Sequence, residues 1–137
     1  MKNVAFSFFS ITTIVMLLVY SSCKDDEITT ENLRQQFLGV WTVADSCQST
    51  PYQIDIIADT TNESYVYLHN FANTGKEASA AYGYVTENKI SISRQSITTG
   101  IRVDGQIYIN NDGSFNLDYA VESSAKDYGC LCKMVKQ

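Results

Sequence analysis

A two-residue rhythm running from Val40 to Val135 restricts this chain more than any other feature. Trp41 and Val43 alternate with Thr42, and Tyr52, Ile54 and Ile56 alternate with Gln53 and Asp55. Ile101, Val103, Ile107 and Ile109 oppose Arg102, Asp104 and Gln106. Phe115, Leu117, Tyr119 and Val121 oppose Asn116, Asp118 and Glu122. Successive side chains of a strand point to opposite faces, so each run predicts a strand with one apolar face. Ile90 with Ile92, and Tyr128 to Val135, fit the same period. Tyr65 to Phe71 is apolar or aromatic on both faces, and Ala80, Tyr82 and Tyr84 follow it.

Turn residues separate the runs: Ser49-Thr50-Pro51, Asp59-Thr60-Thr61-Asn62, Asn73-Thr74-Gly75, Glu87-Asn88, Thr98-Thr99-Gly100 and Asn110-Asn111-Asp112-Gly113. Asn, Asp and Gly tolerate left-handed backbone, which places hairpin tips there. About eight short strands in this order predict an all-β, antiparallel up-and-down meander. A sheet with one apolar face must close on itself or pack on a second sheet. A small closed barrel is the expected form and a β-sandwich the alternative. Upstream, Thr30 to Leu38 reads as a short helix with Leu33, Phe37 and Leu38 on one face, ended by Gly39.

The N-terminus has a different character. Lys2 is followed by an uncharged, mostly apolar stretch from Val4 to Tyr20, then by Ser21, Ser22 and Cys23. A positive end, an apolar run and small residues before a cut are the parts of a secretory signal peptide. Tyr20-Ser21-Ser22-Cys23 resembles the lipobox of bacterial lipoproteins, although Tyr20 stands where an aliphatic residue is usual. The resemblance implies cleavage before Cys23 and acylation of its thiol and new amine. Several acyl chains on one residue give durable anchoring, each buried methylene adding about 0.8 kcal/mol. Lys24, Asp25, Asp26 and Glu27 resemble the surface-export signal of some Gram-negative lipoproteins. The expected organisation is a signal peptide at 1–22, a lipidated acidic tether at 23–30 and a β-domain at 31–137. The implied location is the outer membrane, exposed at the cell surface.

The chain carries a net charge of −5, which becomes −6 once Lys2 is removed with the signal. That balance excludes a nucleic-acid groove, which needs clustered Lys or Arg. Three cysteines remain beside Cys23 in a disulfide-permissive compartment. Cys130 and Cys132 share one face of a strand, so both can approach Cys47, while a bridge between the two would strain an extended backbone; Cys47–Cys130 is the favoured bridge and Cys47–Cys132 the close alternative. A zinc site lacks a fourth ligand and paired spacing, and His69 is the only histidine. No metal or cofactor is expected.

The short helix leading into Gly39-Val40-Trp41 resembles the opening of lipocalin-like β-barrels. Asp45-Ser46-Cys47, Asn70-Phe71 and a late cysteine strand extend that likeness to small lipocalin-like lipoproteins. It implies that Gly39 and Trp41 form a barrel-end motif, with Trp41 packed across the closed end.

Chemistry-bearing patterns are sparse. No Ser or Cys with a local nucleophile signature accompanies His69, no carboxylate pair stands out, and no Gly-rich phosphate loop occurs. The nine tyrosines are the remaining signal. A tyrosine offers a flat apolar ring with a hydrogen-bonding tip. Tyr65, Tyr67, His69, Tyr82 and Tyr84 are the candidates to line the mouth of a ligand site. Thr60, in a turn and preceded by Asp59, resembles the acceptor of a bacterial O-glycosylation sequon. The expected function is non-enzymatic: an envelope binding module for a small hydrophobic or aromatic ligand. The alternative is a structural or protein-interaction lipoprotein without a cavity, discriminated by a filled barrel bearing an exposed aromatic patch.

Overall fold

The computed structural model describes residues 30–137. The signal segment 1–22, Cys23 and the run Lys24, Asp25, Asp26 and Glu27 lie outside them. Helix α1 (Thr30–Gln35) leads into eight strands. They are β1 (Gly39–Asp45), β2 (Tyr52–Ala58), β3 (Tyr65–His69), β4 (Ala81–Val85), β5 (Lys89–Thr98), β6 (Ile101–Ile109), β7 (Phe115–Ser123) and β8 (Tyr128–Lys136). Each strand pairs antiparallel with the next, and β8 pairs back onto β1, so the sheet is a closed up-and-down barrel. Closure excludes the β-sandwich alternative. Among the described residues, no helix is long and apolar enough to cross a membrane.

The alternation dictates what points inward. Val43, Ile54, Val66, Leu68, Ile90, Val103, Ile107 and Leu117 are buried completely, and they join one continuous core. Zero exposure leaves no water-sized gap beside these side chains, so the barrel is filled. Gly83 faces inward, and a Cβ there would clash with Cγ2 of Ile90 and lie 3.3 Å from Leu68. Its missing side chain is the space those two occupy.

Both ends are stoppered. At the α1 end, Phe37 and Trp41 are buried; Trp41 Nε1 donates to the Phe37 carbonyl at 2.7 Å, and its ring lies 4.5 Å from Phe115. Gly39 enters β1 at φ +115, a conformation costly for any residue with a Cβ. Arg34, 7% exposed, donates from Nη1 to the carbonyl of Asp59 at 2.9 Å and more distantly to those of Asn62 and Tyr65. It thereby ties the helix to the β2–β3 turn.

At the other end the chain departs from the expected strand. Asn70 turns left-handed at φ 58, so β3 stops at His69 and Phe71–Asn73 forms a short 3-10 turn. Phe71 is buried against Tyr119, ring centroids 5.4 Å apart, and closes that mouth.

The cysteine pairing follows from register. Trp41 faces Lys136, Val43 faces Met134 and Asp45 faces Cys132. Continued past the last ladder pair, the same register sets Cys47 opposite Cys130. The turn is clasped in that position, Ser46 N–H donating to Leu131 O and Leu131 N–H to Ser46 Oγ. The disulfide is Cys47–Cys130, with Cα atoms 5.6 Å apart, and Cys132 is a buried free thiol.

Candidate functional site: an outer tyrosine platform

On β3, Val66 and Leu68 take the inner face, and strict alternation sends Tyr65, Tyr67 and His69 outward. On β4, Ala81, Gly83 and Val85 face inward, so Tyr82 and Tyr84 also point out. The expectation that these five residues line a barrel mouth is therefore corrected: they stand on the outside. Bulk misleads here, because the larger residues of β4 are the outer ones.

Register then assembles them. Tyr65 lies opposite Tyr84, and Tyr67 opposite Tyr82. Tyr65 and Tyr82 stack at 4.5 Å with an interplanar angle of 5°. Tyr84 meets Tyr65 edge-on at 5.2 Å, and Tyr67 tilts against Tyr82 at 5.0 Å. Ile57 of β2 pairs with Tyr67 and is itself exposed. His69 sits at the margin opposite Asp55. Tyr67 and Tyr84 remain 37% and 45% exposed, so two rings of the interlocked four meet solvent.

Asp59 fixes the platform from one side. Its Oδ1 accepts from Thr61 N–H and Thr61 Oγ1, both at 2.7 Å, and from Asn62 N–H at 3.2 Å. Its Oδ2 accepts from Tyr82 Oη at 2.9 Å. The Thr61 backbone and hydroxyl donors, then the Tyr82 hydroxyl, hold this carboxyl well below the usual carboxylate range. Burial and then the bond to Asp59 push the Tyr82 hydroxyl up to about 12. Burial, followed by the Asp59 charge, raises Tyr67 as well. The phenols stay neutral beside a permanent anion.

Gln95 supports β4 from the other side. The β4–β5 ladder pairs only Tyr84 with Ser91 and Val85 with Ile90, and beyond it the β5–β6 ladder shifts register between Ile92 and Gln95. There the Gln95 amide bridges both backbone groups of Tyr82, accepting from its N–H and donating to its C=O, each at 2.8 Å. Sequence reading missed Ile57, Asp59 and Gln95 as parts of this surface. Asp59 had a usable signal, since Asp two residues before Thr is the pattern of a side-chain-capped turn. Thr60 is exposed in that turn, at the edge of the platform.

Two other features bear on function. A buried polar cluster lies at the disulfide end, where Asp45 accepts from Tyr119 Oη at 2.6 Å and from Cys47 N–H at 2.7 Å. Burial, reinforced by Asp45, pushes the Cys132 thiol up to about 12 and raises Tyr119 and Tyr52. All three are held in uncharged forms, and a protonated thiol is a poor nucleophile. Asp45 also lies within 4.8 Å of the Cys47 and Cys130 sulfurs, but those sulfurs are bonded to each other. Across the barrel, Ala44, Pro51, Leu131 and Lys133 line an open groove of about 580 Å³. It lacks the interlocked side chains that pre-arrange the tyrosines.

Compared with known proteins, the chain matches no family model, no curated protein and no solved structure.

Proposed function

We propose that this chain is a non-enzymatic envelope lipoprotein, anchored through Cys23 and displayed on the outer membrane. It acts as a binding module that receives a protein partner on its outer tyrosine platform. The observation that carries this reading is a filled, doubly stoppered barrel with a rigid aromatic patch outside. Binding energy concentrates in pre-arranged aromatic side chains, and tyrosine brings large contact area at low entropic cost. Stacking and the Asp59 bond have already ordered Tyr65 and Tyr82, so docking would not have to.

The groove along Leu131 supports a second reading, in which a small hydrophobic ligand binds outside the barrel. The two separate by photocrosslinking in the native bacterium, with a benzoylphenylalanine placed at position 67, 84 or 131. The platform reading expects one discrete protein adduct from positions 67 and 84 and none from 131. Adducts from 131 alone, or from none of the three in displayed protein, refute it. The anchor is tested separately. Alkynyl-palmitate should label the chain and should fail to label Cys23→Ala.

A further inference from the structure

Charge is distributed unevenly along this barrel. Residues 36–88, which supply the platform, contain one lysine, Lys76, against six carboxylates: Asp45, Asp55, Asp59, Glu63, Glu77 and Glu87. Residues 89–137 contain six Lys and Arg against five carboxylates. Two of those cations are already engaged, Arg94 and Arg102 both pairing with Glu122. One side of the ring is thus acidic even with Arg34 added, a buried cation bonded to the carbonyls of Asp59, Asn62 and Tyr65, and the other is nearly balanced.

The tyrosines stand on the acidic side. Asp55 is exposed on the outer face of β2, opposite His69 and two register positions from Tyr67, and Asp59 underlies Tyr82. Glu63 and Glu87 occupy the turns that lead into Tyr65 and out of Tyr84. An aromatic face attracts cations through its quadrupole. A phenol that donates its proton to a carboxylate is polarised further in the same direction. Ring faces and carboxylates therefore ask for the same complement.

We infer that the platform, on the reading proposed above, recognises a cationic segment of its partner, with arginine side chains laid on Tyr67 and Tyr84 and flanked by the exposed carboxylates of Asp55, Glu63 and Glu87. Arginine suits the site better than lysine, because its planar guanidinium stacks on a ring while its edge pairs with a carboxylate. An acidic or neutral partner surface would meet uncompensated charge here.

The test is an ¹⁵N chemical-shift titration of the full chain in nonionic detergent. The probes are an acetylated, amidated peptide alternating glycine and arginine, and its counterpart with citrulline in place of arginine. The arginine peptide should shift amides of Ile57, Tyr67, Tyr82 and Tyr84. Its binding should weaken about fivefold or more in Tyr67→Ser/Tyr84→Ser, as two exposed cation–π contacts imply, and should be unchanged in Leu131→Ser. The citrulline peptide should bind markedly less. Three results overturn the inference: equal binding of both peptides, shifts centred on β6–β8, or full affinity in the double variant. Equal binding at the platform refutes the charge argument while leaving the platform itself. Silence of the platform toward both peptides, with no crosslink from position 67, removes the underlying reading too.

Discussion

Cutting the Cys47–Cys130 bridge should be the largest single loss available at the surface of this domain. The bridge spans 83 residues of sequence. In the chain-entropy model a loop of that length, once released, restores enough freedom to the unfolded state to cost about 4.5 kcal/mol. Cys47 is exposed in its turn, so Cys47→Ala opens no cavity and isolates the crosslink. With a urea dependence of about 1.5 kcal/mol per molar for a domain of this size, the midpoint should fall by about 3 M. Reduction of the native chain should reproduce that shift. The β1–β8 register imposes a sharper demand. Cys132 faces Asp45, two register positions from Cys130, so Cys47 reaches it only if β8 slips by two residues. A one-residue slip exchanges inner and outer faces, and a two-residue slip breaks the pairing of Trp41 with Lys136. Cys130→Ala should therefore behave as an uncrosslinked protein, with Cys47 open to alkylation. Cys132→Ala should keep its bridge. The check is urea unfolding followed by circular dichroism, with thiol alkylation read by mass spectrometry. A midpoint loss equivalent to under about 1 kcal/mol in Cys47→Ala would refute the entropic reasoning. Recovery of a Cys47–Cys132 bridge in Cys130→Ala would refute the register reasoning.

Three further outcomes are expected. Gly83→Ala should destabilise the fold by about 1–3 kcal/mol through overpacking against Ile90, measured by chemical denaturation, and Gly83→Ala/Ile90→Leu, which removes the clashing Cγ2 methyl, should recover part of it. Raising pH through 9 toward 12 should lower the melting temperature, because the unfolded chain releases the Cys132 proton from an ordinary pKa of 9.0 while the folded chain keeps it to about 12. Tyr119 and Tyr52, raised in the same direction, add to the alkaline loss, and a flat melting temperature from pH 8 to 11 would contradict both. The Asp59 carboxyl is lowered on folding, so its contribution is complete above the unfolded value of about 4 and is lost as pH falls below it. Asp59→Asn should flatten that acid limb of a melting curve, and an unchanged limb would show that other carboxylates carry it.

Strand positions are legible from period alone wherever the two faces differ in polarity, as along Ile101–Ile109 and Phe115–Ser123. The rule loses its grip on β3 and β4, where both faces are apolar. There the decision belongs to volume: a closed ring of this size admits Val66, Leu68, Ala81 and Gly83 inside and leaves the tyrosines out. The choice between Cys130 and Cys132 is equally hidden, because the two share a face and only the ladder to β1 tells them apart. Gln95 carries no signal because its role depends on a bulge that side-chain pattern does not encode. The end of β3 rests on the left-handed Asn70, a residue type that permits such a bend without demanding it. The platform is thus written in the sequence as residue types but not as a place.

The ring also bears on how densely such a protein can be gathered. If the proposed lipid anchor holds it, each molecule meets its neighbours constantly, at local concentrations far above those in free solution. Because every strand already has two partners, from β1 round to β8 and back, no ribbon among the described residues is left unzipped for a neighbour to extend into fibrils. Copies can therefore crowd side by side, each still presenting its own aromatic face.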